Sequence, residues 1–316
     1  MDKDDRIYVA GHQGLVGSAI MRRLAACGYT NIVVRGHAEL DLTRQAEVEA
    51  FFEAERPEYV FLAAAKVGGI GANSAFPADF IYINLAIATN VIHAAHTFGA
   101  RKLLNLGSSC IYPRMAPQPL KEEYLLSGPL ETTNEGYAIA KIAAIRMCKH
   151  YNDQYGTNYL SVMPTNMYGP GDNYDLQGSH VLPAMIRKFH EAKLAGRPVE
   201  LWGDGSPYRE FLHVDDCARA CVMLMEKYDY SDIGEFINLG SGSELTIREL
   251  SGKVARAVGF GGEVRWDPSK PNGTPRKFMD SSRLFALGWK PGIGLDEGIA
   301  MAYADFLERG GRGGAA

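Results

Sequence analysis

Apolar positions recur along the chain in two periods, and the points where one gives way to the other set out the elements. Residues 6–10 form a short apolar run of strand length. Residues 18–27 then carry apolar positions at helical spacing and stop at Gly28, a residue that ends helices well. A second strand is expected over 31–35. The alternation continues with a strand at 59–63, a long helix at 78–98, a strand at 102–106, a helix at 136–155 and a strand at 159–163. This order predicts an α/β fold, a doubly wound parallel sheet with helices on both faces, whose ligands bind outside the carboxyl ends of the strands.

Both chemically loaded stretches fall at such ends. Gly11-His12-Gln13-Gly14-Leu15-Val16-Gly17 follows the first strand at once. Three glycines between a strand and a helix permit a tight turn and bring a pyrophosphate close to the helix N-terminus, where free N–H groups and the helix dipole favour anions. A plain strand–helix turn needs only one. The sheet is therefore expected to be Rossmann-type, with residues 1–165 as a dinucleotide-binding domain to which later segments return. Beyond residue 165 Pro and Gly become denser and strands shorter, so 166–309 is expected to be mainly a smaller, mixed α/β substrate domain. The Gly-rich end, 310–316, is expected to be a disordered tail.

The second stretch runs over 107–141. It opens with Gly107-Ser108-Ser109-Cys110-Ile111-Tyr112-Pro113 and closes with Tyr137-Ala138-Ile139-Ala140-Lys141. No helix breaker lies between Tyr137 and Lys141, so the two share a helix face one turn apart. An ammonium near a phenol is expected to lower the tyrosine pKa and make it a better proton donor. Ser108 and Ser109, just past a strand, are placed to hydrogen-bond an oxygen over that tyrosine. Polarising a carbonyl and protonating the resulting alkoxide suits this layout, although Tyr-x-x-x-Lys alone also fits a helix face with its lysine in solvent.

Charge and cysteine usage narrow the class further. Lys and Arg number 33 against 37 Asp and Glu, a net charge of -4 that argues for neither nucleic acid nor an anionic membrane surface. No apolar run approaches the roughly 18–20 residues of a membrane span, and the charged N-terminus does not read as a signal peptide. Five cysteines without a Cys-x-x-Cys pair suit reduced thiols in the cytoplasm. His213, Cys217 and Cys221 recur every four residues like metal ligands. Asp215 or Asp216 is the expected helix cap, however, which leaves His213 before the helix, and no metal is expected. Two stretches, 202–211 and 267–277, are loops that supply Arg and Lys with a Trp nearby, a composition suited to a diphosphate beside a ring, or equally to a turn-rich surface.

The glycine turn, the serine and the Tyr-x-x-x-Lys helix resemble the extended short-chain dehydrogenases/reductases. Closer matches lie in Ala63-Ala64-Ala65-Lys66-Val67-Gly68-Gly69-Ile70, Gly107-Ser108-Ser109-Cys110, Met163-Pro164-Thr165-Asn166-Met167-Tyr168-Gly169-Pro170, Arg209-Glu210-Phe211-Leu212-His213 and Lys270-Pro271-Asn272-Gly273-Thr274-Pro275-Arg276-Lys277. These resemble the GDP-L-fucose synthase family, bifunctional 3,5-epimerase/4-reductases of GDP-4-keto-6-deoxy-D-mannose, from about residue 6 to the last helix. Dehydratases of the superfamily carry Asp-Glu where this chain has Cys110-Ile111.

The resemblance implies Ser108, Cys110, Tyr137, Lys141 and His180 as catalytic residues. Cys110 would be the base that abstracts the sugar protons, and His180, an imidazole near its ordinary pKa, the acid that returns them. NADP(H) would be held by Gly11, Gln13, Gly14, Leu15, Val16 and Gly17, by Arg35, His37 and Asp41 near its ribose, and by Leu106, Gly107, Lys141, Pro164, Asn166 and His180. Lys188, Trp202, Arg209, Lys270 and Arg276 would hold the GDP-linked deoxysugar, and a homodimer would pair the helices at 78–98 and 136–155. Two departures weaken the cofactor clamp: Gln13 and His37 stand where family members often carry arginine, leaving Arg35 where an NAD enzyme would place an acid. A related GDP-sugar epimerase or reductase, for instance on a GDP-6-deoxyheptose, is the nearest alternative. A non-catalytic dinucleotide sensor is the other, but it has no need of the five catalytic residues together.

Overall fold

The computed structural model describes residues 1–176, 178–270 and 272–310. Residues 311–316 of the expected tail and Pro271 of the basic stretch lie outside them. The chain opens as β1 (Ile7–Ala10), α1 (Leu15–Ala26), β2 (Ile32–Val33), α2 (Gln45–Glu55), β3 (Tyr59–Leu62), α3 (Ile70–Ala75), α4 (Pro77–Thr97), β4 (Lys102–Leu106), α5 (Glu135–Tyr155) and β5 (Tyr159–Pro164). It continues as β6 (Asn166–Tyr168), α6 (Val181–Ala195), β7 (Val199–Trp202), β8 (Tyr208–His213), α7 (Val214–Lys227), α8 (Tyr230–Ile233) and β9 (Ile237–Leu239). The last elements are β10 (Glu244–Thr246), α9 (Ile247–Val258), β11 (Val264–Asp267), β12 (Arg276–Lys277), α10 (Ser282–Ala286) and α11 (Leu295–Glu308).

Six strands make one parallel sheet in the order β2-β1-β3-β4-β5-β9. From β1 the chain moves one way to β2 and returns to the other side as β3, so the order reverses at β1. That reversal opens the crevice in which such sheets bind ligands. Apolar side chains cover both faces. Ile20 and Leu24 of α1 meet Cys217, Cys221 and Leu224 of α7 on one, and Phe52, Val91, Ile92 and Cys148 from α2, α4 and α5 fill the other. β4 is buried throughout although it begins with lysine. The Lys102 ammonium is satisfied by the carbonyls of Leu224 and Met225 at the end of α7 and by Asp229, 3.3 Å away. A cation at a helix C-terminus is favourable, and here it also fastens the later segment α7 to the sheet.

The second lobe has a mixed sheet of β10, β8 and β12, with β6 pairing β8, and a separate β7–β11 pair. Its core gathers Phe189, Leu201, Phe211, Val254, Ile299 and Phe306, with α9 started by a Thr246–Glu249 capping box.

Several elements differ from expectation. α1 begins three residues early, inside the glycine stretch, because Gly14 itself is the helix cap. β2 keeps only two residues of the five expected. α2 was not foreseen, its apolar positions being diluted by five glutamate and glutamine residues. α4, with 21 residues, is long and apolar enough to cross a membrane by length and composition, contrary to the expectation for any run. It packs on one face of the sheet between α2 and α5, with Asn84 bonded to the backbone at Lys66 and Phe80 and Asn90 to Leu42. His213 does precede α7, as expected, but it caps that helix itself, its Nδ1 accepting the Asp215 N–H at 3.3 Å. Among the described residues no three His, Cys, Asp or Glu side chains converge as a metal site.

Candidate active site

β4 delivers the chain to the crevice, and a single turn sets the chemistry. Gly107 is held to the sheet by its N–H on the Val162 carbonyl, 2.9 Å. Ser108 follows in extended conformation, and its Oγ accepts the Cys110 N–H at 3.3 Å, capping the one-turn helix Ser109–Ile111. This turn points the half-buried Cys110 thiol towards the start of α5. There Asn134 donates from Nδ2 to Sγ at 3.1 Å, and Lys277 from the second lobe donates from Nζ at 3.5 Å.

Tyr137 and Lys141 lie one turn apart on α5, as the spacing predicts. Lys141 is 8% exposed, and its ammonium donates to the Leu106 carbonyl at 2.8 Å, so the end of β4 fixes it. Burial brings that lysine down to about 8. Tyr137 departs from expectation. Burial pushes its phenol above the ordinary value, the Cys110 thiol adds to the rise, and a hydrogen bond with Ser108 opposes it. The Lys141 ammonium, anchored at the Leu106 carbonyl, lies 5.8 Å from the centre of the tyrosine ring.

His180 caps α6 in extended backbone, without a side-chain bond to the helix. The preceding residue but one is tied to the first lobe by the Gly69 N–H on the Gly178 carbonyl, 3.0 Å. Desolvation, and then the Lys277 charge, push His180 below its ordinary value rather than leaving it unperturbed, although the residue as a whole stays exposed.

The glycine turn is shaped by contact. Gly11 has φ +80° and lies so close to β3's exit that a Cβ would come within 2.7 Å of the Ala64 backbone; at Gly17 a Cβ would meet the Gly11 carbonyl oxygen at 2.0 Å. No side chain caps α1, so Leu15, Val16 and Gly17 begin a helix whose N-terminus is left for an anion. This cradle fits a dinucleotide pyrophosphate. Gln13 lies beside Gly36 at the end of the second strand segment. Arg35 is engaged: it donates to the Val34 carbonyl at 2.8 Å and pairs with Glu55, which also holds Arg6. His37 sits in the following loop, and Asp41 accepts from Thr43 at 2.8 and 3.0 Å, bonds that lower its carboxyl. Pro164 ends β5, and Asn166 spends an amide N–H on the Glu210 carbonyl, 2.8 Å.

Of the five basic and aromatic positions assigned to the second ligand, three come together. Lys188 and Lys270 place their ammoniums 5.8 and 5.9 Å from the Trp202 ring, which is 61% exposed. Arg209 lies beside Gly273, and burial lowers it. Arg276 instead pairs with Glu244 across the sheet. Arg276 and its neighbour Lys277 leave opposite faces of a strand only two residues long, so it is Lys277 and not the expected Arg276 that reaches the site. Asn134 was also missed; its place immediately before the Tyr137 helix was the available signal.

A family model described as the NAD dependent epimerase/dehydratase family matches residues 7–240. A probable GDP-L-fucose synthase from Oryza sativa subsp. japonica is 60% identical over 97% of this chain and 93% of its own length. The chain belongs to the GDP-L-fucose synthase group of the NAD-dependent epimerase/dehydratase family. Another relative in this family, the GDP-L-fucose synthase of Escherichia coli K12, is 53% identical over 96% of this chain and 97% of its own. Among solved structures, a GDP-mannoheptose C4 reductase from Campylobacter jejuni with NADP bound is 40% identical, with a TM-score of 0.89 over 97% of this chain and 99% of that one.

Proposed function

We propose that this chain is an NADP(H)-dependent enzyme that converts GDP-4-keto-6-deoxy-D-mannose to GDP-L-fucose by inverting C3 and C5 and then reducing C4. The observation that carries the reading is a thiol with two donors on its sulfur, bordering the same space as Tyr137, Ser108 and His180. A pure reductase has no use for it. The relatives' names support the substrate.

Ser108 and Tyr137 donate to the C4 oxygen and stabilise the negative charge that develops there. Cys110 removes the proton at C3 and later at C5, the C–H electron pair moving into the C4 carbonyl, and His180 returns a proton to the opposite face. Gly11, Gly14 and Gly17 would hold the cofactor, which when bound as NADPH would supply the hydride for C4. Tyr137 protonates the alkoxide, and Lys141, fixed to Leu106, contributes positive charge under it. The crowding that raises the free phenol also keeps the proton on Tyr137 until the alkoxide, a far stronger base, accepts it. Lys188, Trp202, Lys270 and Arg209 hold the nucleotide diphosphate.

The enzyme acts as a cytoplasmic homodimer that pairs α4 and α5 with their copies. Tyr82, Ile139 and Tyr155 leave these helices 63, 40 and 50% exposed, a set of apolar groups that a partner would cover. Sedimentation at a monomer's mass would remove the dimer.

Incubation with the keto sugar and NADPH in D2O tests the whole reading. Two deuterons, at C3 and C5, are expected in a product reduced at C4. Reduction without deuterium would leave a C4 reductase, the activity named for the heptose-acting neighbour, and a GDP-heptose would then be the substrate to try.

A further inference from the structure

Lys277 occupies a backbone clamped on both sides. β12 pairs in parallel with β8, Lys277 opposite Arg209. Next along the chain, the Phe278 N–H donates to Gln118 Oε1 at 2.9 Å, and its carbonyl accepts the Leu120 N–H at 2.7 Å. Met279 N–H then donates to the carboxylate of Glu210, a side chain with no exposed surface, at 3.1 Å. With the strand so fixed, Arg276 leaves towards Glu244 and Lys277 reaches across the lobes to Cys110. Asn134 meets the same sulfur from the first lobe, and its Oδ1 has no partner of its own. The Lys277 charge also acts on His180.

We propose that Lys277, assisted by Asn134, is the positioning residue of the epimerisation stage, holding the Cys110 sulfur where it serves as the base while its charge also faces the His180 acid. This rests on the reading of Cys110 and His180 given above. A cation within a few ångströms favours a thiolate and disfavours an imidazolium, so one ammonium readies the base to take a proton and the acid to release one. In each inversion the sugar proton passes to sulfur, the C–H electron pair moves to the C4 oxygen, and the imidazolium proton closes the other face as that pair returns to carbon. The thiol then yields its proton to solvent and the imidazole regains one. Lys277 arrives with the second lobe whereas Cys110 belongs to the first, so the base is completed only where the lobes meet.

The test compares the full chain with Lys277→Met, Lys277→Arg, Asn134→Ala and Cys110→Ser. Alkylation of Cys110 by iodoacetamide at pH 7 is read by peptide mass, and deuterium entry at C3 and C5 is read at saturating GDP-4-keto-6-deoxy-D-mannose. Lys277→Met is expected to slow both by about tenfold or more, Asn134→Ala by about threefold, and Lys277→Arg to recover most of the rate. Parental alkylation and exchange in Lys277→Met, with only KM raised, would overturn the proposal and make Lys277 a substrate-phosphate contact. Parental exchange in Cys110→Ser would overturn the reading beneath it, which the alkylation measurement distinguishes because it needs no substrate.

Discussion

Lys141 and Trp202 stand on the two sides of the junction between the lobes and are held in opposite ways. Lys141 is 8% exposed and bonded to the carbonyl that ends a buried strand; Trp202 is 61% exposed, with Lys188 and Lys270 beside it. The first side is fixed by backbone: Ser108 caps its own turn, and Gly107 is bonded to β5. Proton transfer needs that, because a misplacement of an ångström costs rate steeply. On the reading proposed above, the second side would hold a diphosphate and a ring, which tolerate adjustment. Changes on the first side should therefore act on rate, and changes on the second on binding.

The largest effects should split the first side by stage. Cys110→Ser leaves a hydroxyl that ionises far less than a thiol, so deuterium entry at C3 and C5 should fall by about 10²–10⁴ while the C4 ketone stays reducible. Tyr137→Phe should do the reverse: C4 reduction down by about 10²–10³, exchange less affected, NADPH binding retained. Product analysis by mass and NMR reads both. Loss of both stages in each variant would show that the two sets work as one.

The cost of fixing the first side should appear as stability. Lys141 has a folded value of about 8, below the ordinary 10.5, because it is buried. The unfolded chain thus binds more protons between those values, and the penalty is full below pH 8 and relieved as pH rises towards 10.5. Lys141→Met should slow reduction severely yet stabilise the cofactor-free protein at pH 7 by about 2 kcal/mol, the gain shrinking by pH 9.5. Urea melts at both pH values check this; a destabilised variant at pH 7 would mean that the Leu106 bond outweighs the burial.

On the second side, Trp202→Ala should weaken GDP binding by about tenfold and leave kcat at saturation within about twofold. Calorimetry and steady-state kinetics separate the two. A fall in kcat with unchanged binding would erase the contrast between the sides.

The same contrast explains what the sequence disclosed. The strand β4 and the Tyr137–Lys141 spacing were legible because local periodicity sets them, and the glycine turn because Gly11 and Gly17 answer close backbone contacts. The Lys277–Cys110 contact spans 167 positions and depends on which face of a two-residue strand a side chain takes, which no local pattern encodes. The shifts on Tyr137 and His180 escape local patterns for a related reason: desolvation together with the Cys110 thiol and the Lys277 charge, each brought in from elsewhere in the chain, decides them. Arg35 is a third case, since its partner Glu55 sits on the helix that was not foreseen.

That last pair gives the smallest effect and the finest test. Arg35 was the residue expected to face the 2′-phosphate of NADPH, with Gln13 and His37 neutral beside it. Its guanidinium is shared instead between the Val34 carbonyl and Glu55, and it lies over the Phe51 ring at 5.5 Å. Preference for NADPH over NADH should accordingly be at most about tenfold in kcat/KM, or about 1.4 kcal/mol of differential binding. Glu55→Gln removes the competing carboxylate charge while keeping the side-chain length, and should raise that ratio by about threefold. Arg35→Met should bring it close to one. Because Glu55 also holds Arg6, an Arg6→Met variant controls for the lost second pair and should leave the ratio as it was. An unchanged ratio in Arg35→Met would move the discrimination to Gln13 and His37, and the cofactor corner would then belong with the adjustable side rather than the fixed one.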